Sequence, residues 1–219
     1  MLVIEPPRCL GLHPKIFKIL EYGNSNMEEI QGSVLFCDVC DYTRKCISDG
    51  SHKIVLILHE LFDDFDKGLS TFGVTKVGTI GDAYMVICEG ERYTIRMVHF
   101  AEYILDIAQK HKVDVRIGIS SGHFIKSKSN YYGETVNKAS RMESNGGRNC
   151  VRISNSTKKL LMDEGYGEDF FIFCGIHEVK SYGFINMYIL KIGNWKECQE
   201  RMNIINPRLS FDGVKRGTI

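Results

Sequence analysis

With 219 residues, 43% of them hydrophobic, the chain is long enough for one closed core and too apolar to be a disordered segment. A formal net charge of +1 offers no basic surface for nucleic acid or an anionic membrane, and no apolar run approaches the ~20 residues that span a bilayer. Eight cysteines are scattered along the chain, and Cys37 and Cys40 have C-x-x-C spacing with no second pair to complete a zinc site; free thiols in a reducing cytoplasm are expected.

In chain order, residues 1–31 carry Pro6, Pro7 and Pro14, with a short helix expected around Pro14–Glu21 and a loop after it. Ser33–Cys37 reads as the first core strand, and Asp41 to Ser51 as polar turn residues. From Ser51, a plausible N-cap, apolar residues from Ile54 to Phe72 recur at helical spacing until Gly73. Val74–Glu89 reads as a hairpin with a Gly81-Asp82 turn, and Glu91–Lys110 as a second amphipathic helix. Val113–Ser120 alternates as a strand with, as its expected hairpin partner, His123–Lys126. A short helix is expected over Thr135–Glu143, a strand over Val151–Ile153, and a helix capped by Ser154. Phe170–Cys174, Glu178–Tyr182 and Phe184–Leu190 read as late antiparallel strands, followed by an unpatterned tail from Gly193. Strands and helices alternate in mixed order, which predicts an α+β fold with helices covering one sheet. The expected organisation is an N-terminal segment at 1–31, one domain at 32–192 and a tail at 193–219.

Two carboxylates sit at readable places. Asp38 ends the apolar run Val34-Leu35-Phe36-Cys37, and Asp82 lies at the tip of the Val74–Glu89 hairpin. Two carboxylates delivered by separate elements suit a hard divalent cation with room for phosphate and water. Ordinary turn chemistry accounts for either residue alone, so both readings stand at this point. Asn137 and Arg141, four apart on a helix, share one face, either as a solvated polar surface or as a pair aimed at an anionic substrate.

Val34 to Thr43 resembles the "hydrophobic run, Asp, two residues, Gly, aromatic, Thr" motif of the class III nucleotide cyclases. Thr79-Ile80-Gly81-Asp82-Ala83-Tyr84-Met85-Val86 is similar to that family's second metal motif, and Gly133 to Ser144 to its catalytic helix. The resemblance implies a ferredoxin-like core with a central antiparallel or mixed sheet covered by helices. It implies a nucleoside triphosphate substrate and two divalent metal ions, Mg²⁺ or Mn²⁺, held by Asp38, Asp82 and the Val39 carbonyl. Asn137, Arg141 and the triphosphate-binding Lys180 would come from a second protomer, giving a cytoplasmic homodimer with two shared active sites. Around Lys180, Ser181 and Tyr182 replace the usual Gly and Lys.

Two positions that choose the base in this family also depart. Gly78 stands where adenylate cyclases have Lys and guanylate cyclases Glu, and Asn130 where Asp, Thr or Cys is usual. Tyr42 replaces a Phe. These departures resemble the stand-alone pyrimidine cyclases of bacterial anti-phage defence, which implies UTP, slightly ahead of CTP, with Tyr42, Arg44, Gly78 and Asn130 around the base. It also implies a separate effector protein that answers the cyclic product. The competing expectations are an adenylate or guanylate cyclase with relaxed base choice, a non-catalytic nucleotide-binding sensor, and a palm-like phosphotransferase.

Overall fold

The computed structural model describes residues 27–179 and 183–205; the helix expected at Pro14–Glu21 lies outside them. Strand β1 (Met27–Val39) is the axis of the molecule, paired along its whole length with β4 (Val115–Ser127) and over Gly32–Asp38 with β3 (Ala83–Glu89). β2 (Thr75–Ile80) flanks β3 at one edge of an eight-stranded sheet ordered β2-β3-β1-β4-β6-β8-β7. The strands β6 (Cys150–Ser154), β8 (Gly183–Leu190) and β7 (Phe171–Val179) extend it to the other edge, and β5 (Asn130–Tyr132) pairs with β4. Only the β4–β6 pairing is parallel among the described ladders, so the α+β expectation holds with a mixed sheet.

Period-two alternation sorts β1 between two faces. Leu35, Cys37 and Val39 turn to one side, where they pack with Leu61 and Phe65 of α2 (Ser51–Asp66), Met97 and Ile104 of α4 (Tyr93–Lys110) and Leu161 of α6 (Asn155–Asp163). Ile30 and Val34 turn to the other, against Val136 and Ala139 of α5 (Glu134–Ser144). Asp38 has the parity of Val34, and so belongs to the α5 face.

Several boundaries differ from those expected, for reasons that lie outside local pattern. Polar Tyr42–Asp49 forms helix α1, a lid on α2. The long helix breaks after Asp66 and resumes as α3 (Leu69–Phe72); between them Gly68 lies against the Tyr103 ring, where a Cβ would come within 2.5 Å. Ser51 is the first helical residue and not the cap, which is Gly50. His123–Lys126 does not turn back as a hairpin partner; it continues β4, held by β1 residues Glu28–Gln31. Phe171–Val179 is one bulged strand instead of the ends of two. The tail contains helix α7 (Trp195–Ile205). Cys198 of α7 is bonded to Cys150 of β6 in a disulfide, which corrects the expectation of free thiols throughout. Cys37, Cys40, Cys46, Cys88 and Cys174 are free.

Hydroxyl groups join strands and helix inside the core. Ser33 and Ser121 face each other across β1 and β4 at 2.6 Å, and Ser121 accepts from Thr157 at 3.1 Å. Ser154, the expected cap of α6, accepts from the Thr157 amide and bonds Ser120 at 3.1 Å. No helix among the described residues is long and apolar enough to cross a membrane.

Candidate active site

Asp38 is the penultimate residue of β1, and its partner across the β1–β3 ladder is Ala83, the neighbour of Asp82. The β2–β3 turn delivers Asp82 through Gly81, whose φ of 63° is the left-handed conformation that glycine takes without strain. The two carboxyl groups meet closely enough to hydrogen-bond. Burial first, and then the charge of Asp82, push the Asp38 carboxyl above its ordinary range, with Arg116 opposing the shift. Two hard oxygen ligands crowded at this spot fit a divalent cation, which would offset the like charges that now repel. The side chain of Val39 is buried in the core, so only its main chain could serve such an ion. Among the described residues no group of three or more His, Cys, Asp and Glu could hold a metal, and the further ligands of any ion would come from substrate and water. Burial pushes the Cys37 thiol well up and the Cys40 thiol to about 11, so neither is a ready thiolate.

Sequence reasoning missed the groups that hold Asp38. Arg116 lies directly opposite it on β4 and donates to its Oδ2. The Arg116 Nε donates at 3.0 Å to Oε1 of Glu143, in the last turn of α5. The Glu143 side chain is only 12% exposed, and burial followed by the charge of Asp38 pushes its carboxyl upward. The alternation of Val115, Ile117 and Ile119 places Arg116 on the α5 face, but nothing local says that Asp38 is its neighbour.

The loop after β1 is also braced. Asp41 occupies the position that the metal motif gives to glycine, and it adopts φ 59°, a conformation aspartate tolerates. Arg148 donates to Asp41 and, at 2.9 Å, to Asp114, holding the Asp41 carboxyl below the usual range. Tyr42, expected at the base, is half-buried, packs on the α2 side of the core and bonds Cys46, within electrostatic reach of Asp82. Arg44 is exposed on α1.

Asn137 and Arg141 lie one turn apart on the exposed side of α5, opposite Val136, Ala139 and Met142, which face the sheet. Arg141 and Glu143 are two residues apart, about 200° around the helix, so Arg141 points away from the Asp38 site of its own chain. Gly78 follows a bulge in β2, and a Cβ built there meets nothing within 4 Å. Asn130 is exposed at the β4–β5 turn, beside Ser127, whose β1 partner is Met27. Eleven strand residues separate Met27 from Asp38, or roughly 36 Å. One protomer therefore brings together Asp38, Val39 and Asp82, with Gly78 on the same hairpin, and keeps Asn130, Asn137 and Arg141 turned or removed from them. Lys180 lies outside the described residues.

Known proteins resemble this chain in sequence and fold. The chain is 32% identical over 157 residues to soluble guanylate cyclase gcy-31 of Caenorhabditis elegans, covering 62% of this chain and 22% of that protein. It is 31% identical to the human guanylate cyclase soluble subunit beta-2 over 72% of this chain and 28% of that one, so it spans about a quarter of the length of these relatives. The guanylate cyclase domain of RhGC from Catenaria anguillulae, solved with GTP, superposes with a TM-score of 0.66 at 26% identity, over 76% of this chain and all of that domain. The adenylyl cyclase CyaB of P. aeruginosa shares the fold, with a TM-score of 0.63 at 18% identity, over 75% and 95% of the two chains. The family model of the adenylate and guanylate cyclase catalytic domain matches residues 25–192. That match takes in every element from β1 to β8, and by it the chain belongs to the class III nucleotide cyclase catalytic domains.

Proposed function

We propose that this domain converts a nucleoside triphosphate to its 3′,5′-cyclic monophosphate and pyrophosphate, as a head-to-tail homodimer. The observation that carries the reading is the meeting of Asp38 and Asp82 on one protomer while Asn137 and Arg141 face away. A second chain related by a two-fold axis supplies what each site lacks, and does so twice. Exposed apolar residues at opposite sheet edges support such a contact: Ile80 on the β2–β3 hairpin, and Ile176 and Phe184 on β7 and β8.

In this reading Asp38, Asp82 and the Val39 carbonyl hold two divalent cations, which when bound lower the pKa of the ribose 3′-hydroxyl and offset triphosphate charge. The Arg141 guanidinium of the opposite protomer meets charge growing on the α-phosphate as the hydroxyl attacks and pyrophosphate leaves in line. The Asn137 amide orients the ribose, and Lys180 binds the β- and γ-phosphates.

The base is proposed to be a pyrimidine, UTP ahead of CTP. Open space at Gly78 removes the long side chain that reads a purine edge, and Asn130 of the opposite protomer, with Tyr42 and Arg44 at the rim, takes over recognition. An Asn amide satisfies uracil or cytosine by turning over, which leaves the two close in preference. The likeness to pyrimidine cyclases of anti-phage defence extends the proposal to a second messenger read by a separate effector protein. A guanylate cyclase is the second reading, favoured by relatives of that name at 30–32% identity.

Incubating the protein with Mn²⁺ and ATP, GTP, CTP or UTP in turn, with products resolved by mass, tests both levels. A cyclic pyrimidine product that disappears in Asp82→Ala is the expected result. Cyclic GMP or AMP as main product overturns the base assignment alone. Nucleotide binding with no product from any of the four overturns the catalytic reading.

A further inference from the structure

Asp41 puts a carboxylate where the first metal motif has a glycine. It stands two residues beyond Val39, so their Cα atoms are at most about 7 Å apart. A triphosphate on cations held by Asp38, Asp82 and the Val39 carbonyl therefore comes within electrostatic reach of Asp41. The way this carboxylate is held bears on that problem. Aspartate is a favoured cap of a helix N-terminus, and Asp41 occupies the cap position of α1, yet its side chain makes no cap bond. Arg148 takes the carboxylate instead, donating to Asp41 from one guanidinium nitrogen and to Asp114 at 2.9 Å from the other. The charges of Arg44 and Lys45 bear on the same carboxylate more weakly.

The clamp is anchored away from Asp41 itself. Asn149, next to Arg148 and in the left-handed conformation at φ 53°, donates from Nδ2 to Asp114 at 2.7 Å, and its Oδ1 accepts from the Val115 amide at 3.0 Å. The main-chain oxygen of Asp114 accepts from the Cys40 amide at 2.8 Å, which ties this anchor to the residue before Asp41. Arg148 thus reaches Asp41 from a fixed base, across 107 positions of sequence. We infer that Arg148 is a positioning residue for triphosphate binding, which neutralises and turns aside the carboxylate this chain carries in place of the motif glycine. The inference rests on the cyclase reading proposed above. Arg148 acts through Asp41: without it, that carboxylate faces the phosphates as an uncompensated like charge.

Initial rates with saturating Mn²⁺ and ATP, GTP, CTP or UTP test this, with KM and kcat taken for the nucleotide that the parent cyclises fastest. Arg148→Gln is the first variant; the Arg148 side chain is 40% exposed, so the change leaves the core intact. It is expected to raise KM about tenfold, between the limits for close unit charges in water and at a protein surface. With kcat nearly unchanged, the loss is one of substrate binding and not of the chemical step. The second comparison is made in an Asp41→Gly background, where glycine takes a φ of 59° without strain. There the carboxylate is gone, and Arg148→Gln is expected to leave KM where it was. A structural role for Arg148, or a direct contact with the phosphates, would give the same loss in both backgrounds. Equal loss in both, or no loss in either, overturns the inference and leaves the cyclase reading standing. A parent that cyclises none of the four nucleotides overturns the cyclase reading, and the inference falls with it.

Discussion

Replacing Gly118 by alanine puts a methyl group where the backbone of α5 now lies. At 2.0 Å from the Glu143 nitrogen and 2.5 Å from the Ala139 oxygen, the new carbon meets main chain on both contacts, and no side-chain rotation relieves it. The helix has to retreat by more than 1 Å to reach ordinary contact. Overpacking of this kind costs about 1–3 kcal/mol. For a domain of this size each kcal/mol lowers the melting temperature by roughly 2–4 °C, so a fall of several degrees is expected. The catalytic loss should exceed the stability loss, because a shift of ~1 Å in a positioning element can cost about 10²-fold in rate. Circular dichroism melts with and without Mn²⁺, beside single-turnover product formation, measure both effects. An alanine variant with unchanged melting temperature and full rate would refute the close seating of α5 on β4.

Ser154→Ala should lower stability by about 1–2 kcal/mol in a denaturant melt, since it removes the cap of α6 and leaves Ser120 short of a partner. The carboxyls of Asp38 and Glu143 are raised, so their contribution to stability without cations is present in acid and lost as pH climbs through and above the ordinary carboxylate range. In EDTA, Asp38→Asn should therefore melt no lower than the parent at neutral pH, while losing both activity and stabilisation by Mn²⁺; a markedly lower melting point would contradict the crowding at this pair. Asp41 and Asp114, held low, contribute in the opposite sense, and their share fades as pH falls through their range. Reducing the Cys150–Cys198 disulfide, which closes a sequence separation of 48, should cost about 4 kcal/mol in the chain-entropy account. Superimposable guanidinium melts with and without reductant would argue against the bond.

The elements set by local chemistry were legible in the sequence. The Gly81-Asp82 turn between alternating strands, the capping Ser154 and the i, i+4 spacing of Asn137 and Arg141 each depend on residues within a few positions. What escaped depends on distant neighbours. Arg116 acquires its role only through the register of β4 on β1. The tight seat of Gly68 against Tyr103 involves a residue more than thirty positions away. Helix α7 is held by Trp195 and by the bond from Cys198 to β6, a partner about fifty residues away. Asn130 is remote from Asp38 in its own chain because β4 runs the full length of β1 before the β4–β5 turn.

The buried hydroxyls of Ser33, Ser121, Thr157 and Ser154 bear on a problem that apolar packing leaves unsolved. Alternating strands such as β1 and β4 present nearly the same greasy surface after sliding by two residues, and hydrophobic burial alone penalises that error weakly. Sliding would leave these small polar groups facing aliphatic carbon, with no water to satisfy them. It would also set Asp38 opposite Gly118 or Asp114 in place of Arg116. The serines thus act as an alignment key, and the charge partner of Asp38 is selected five residues along the ladder, roughly 17 Å, from where the serines meet.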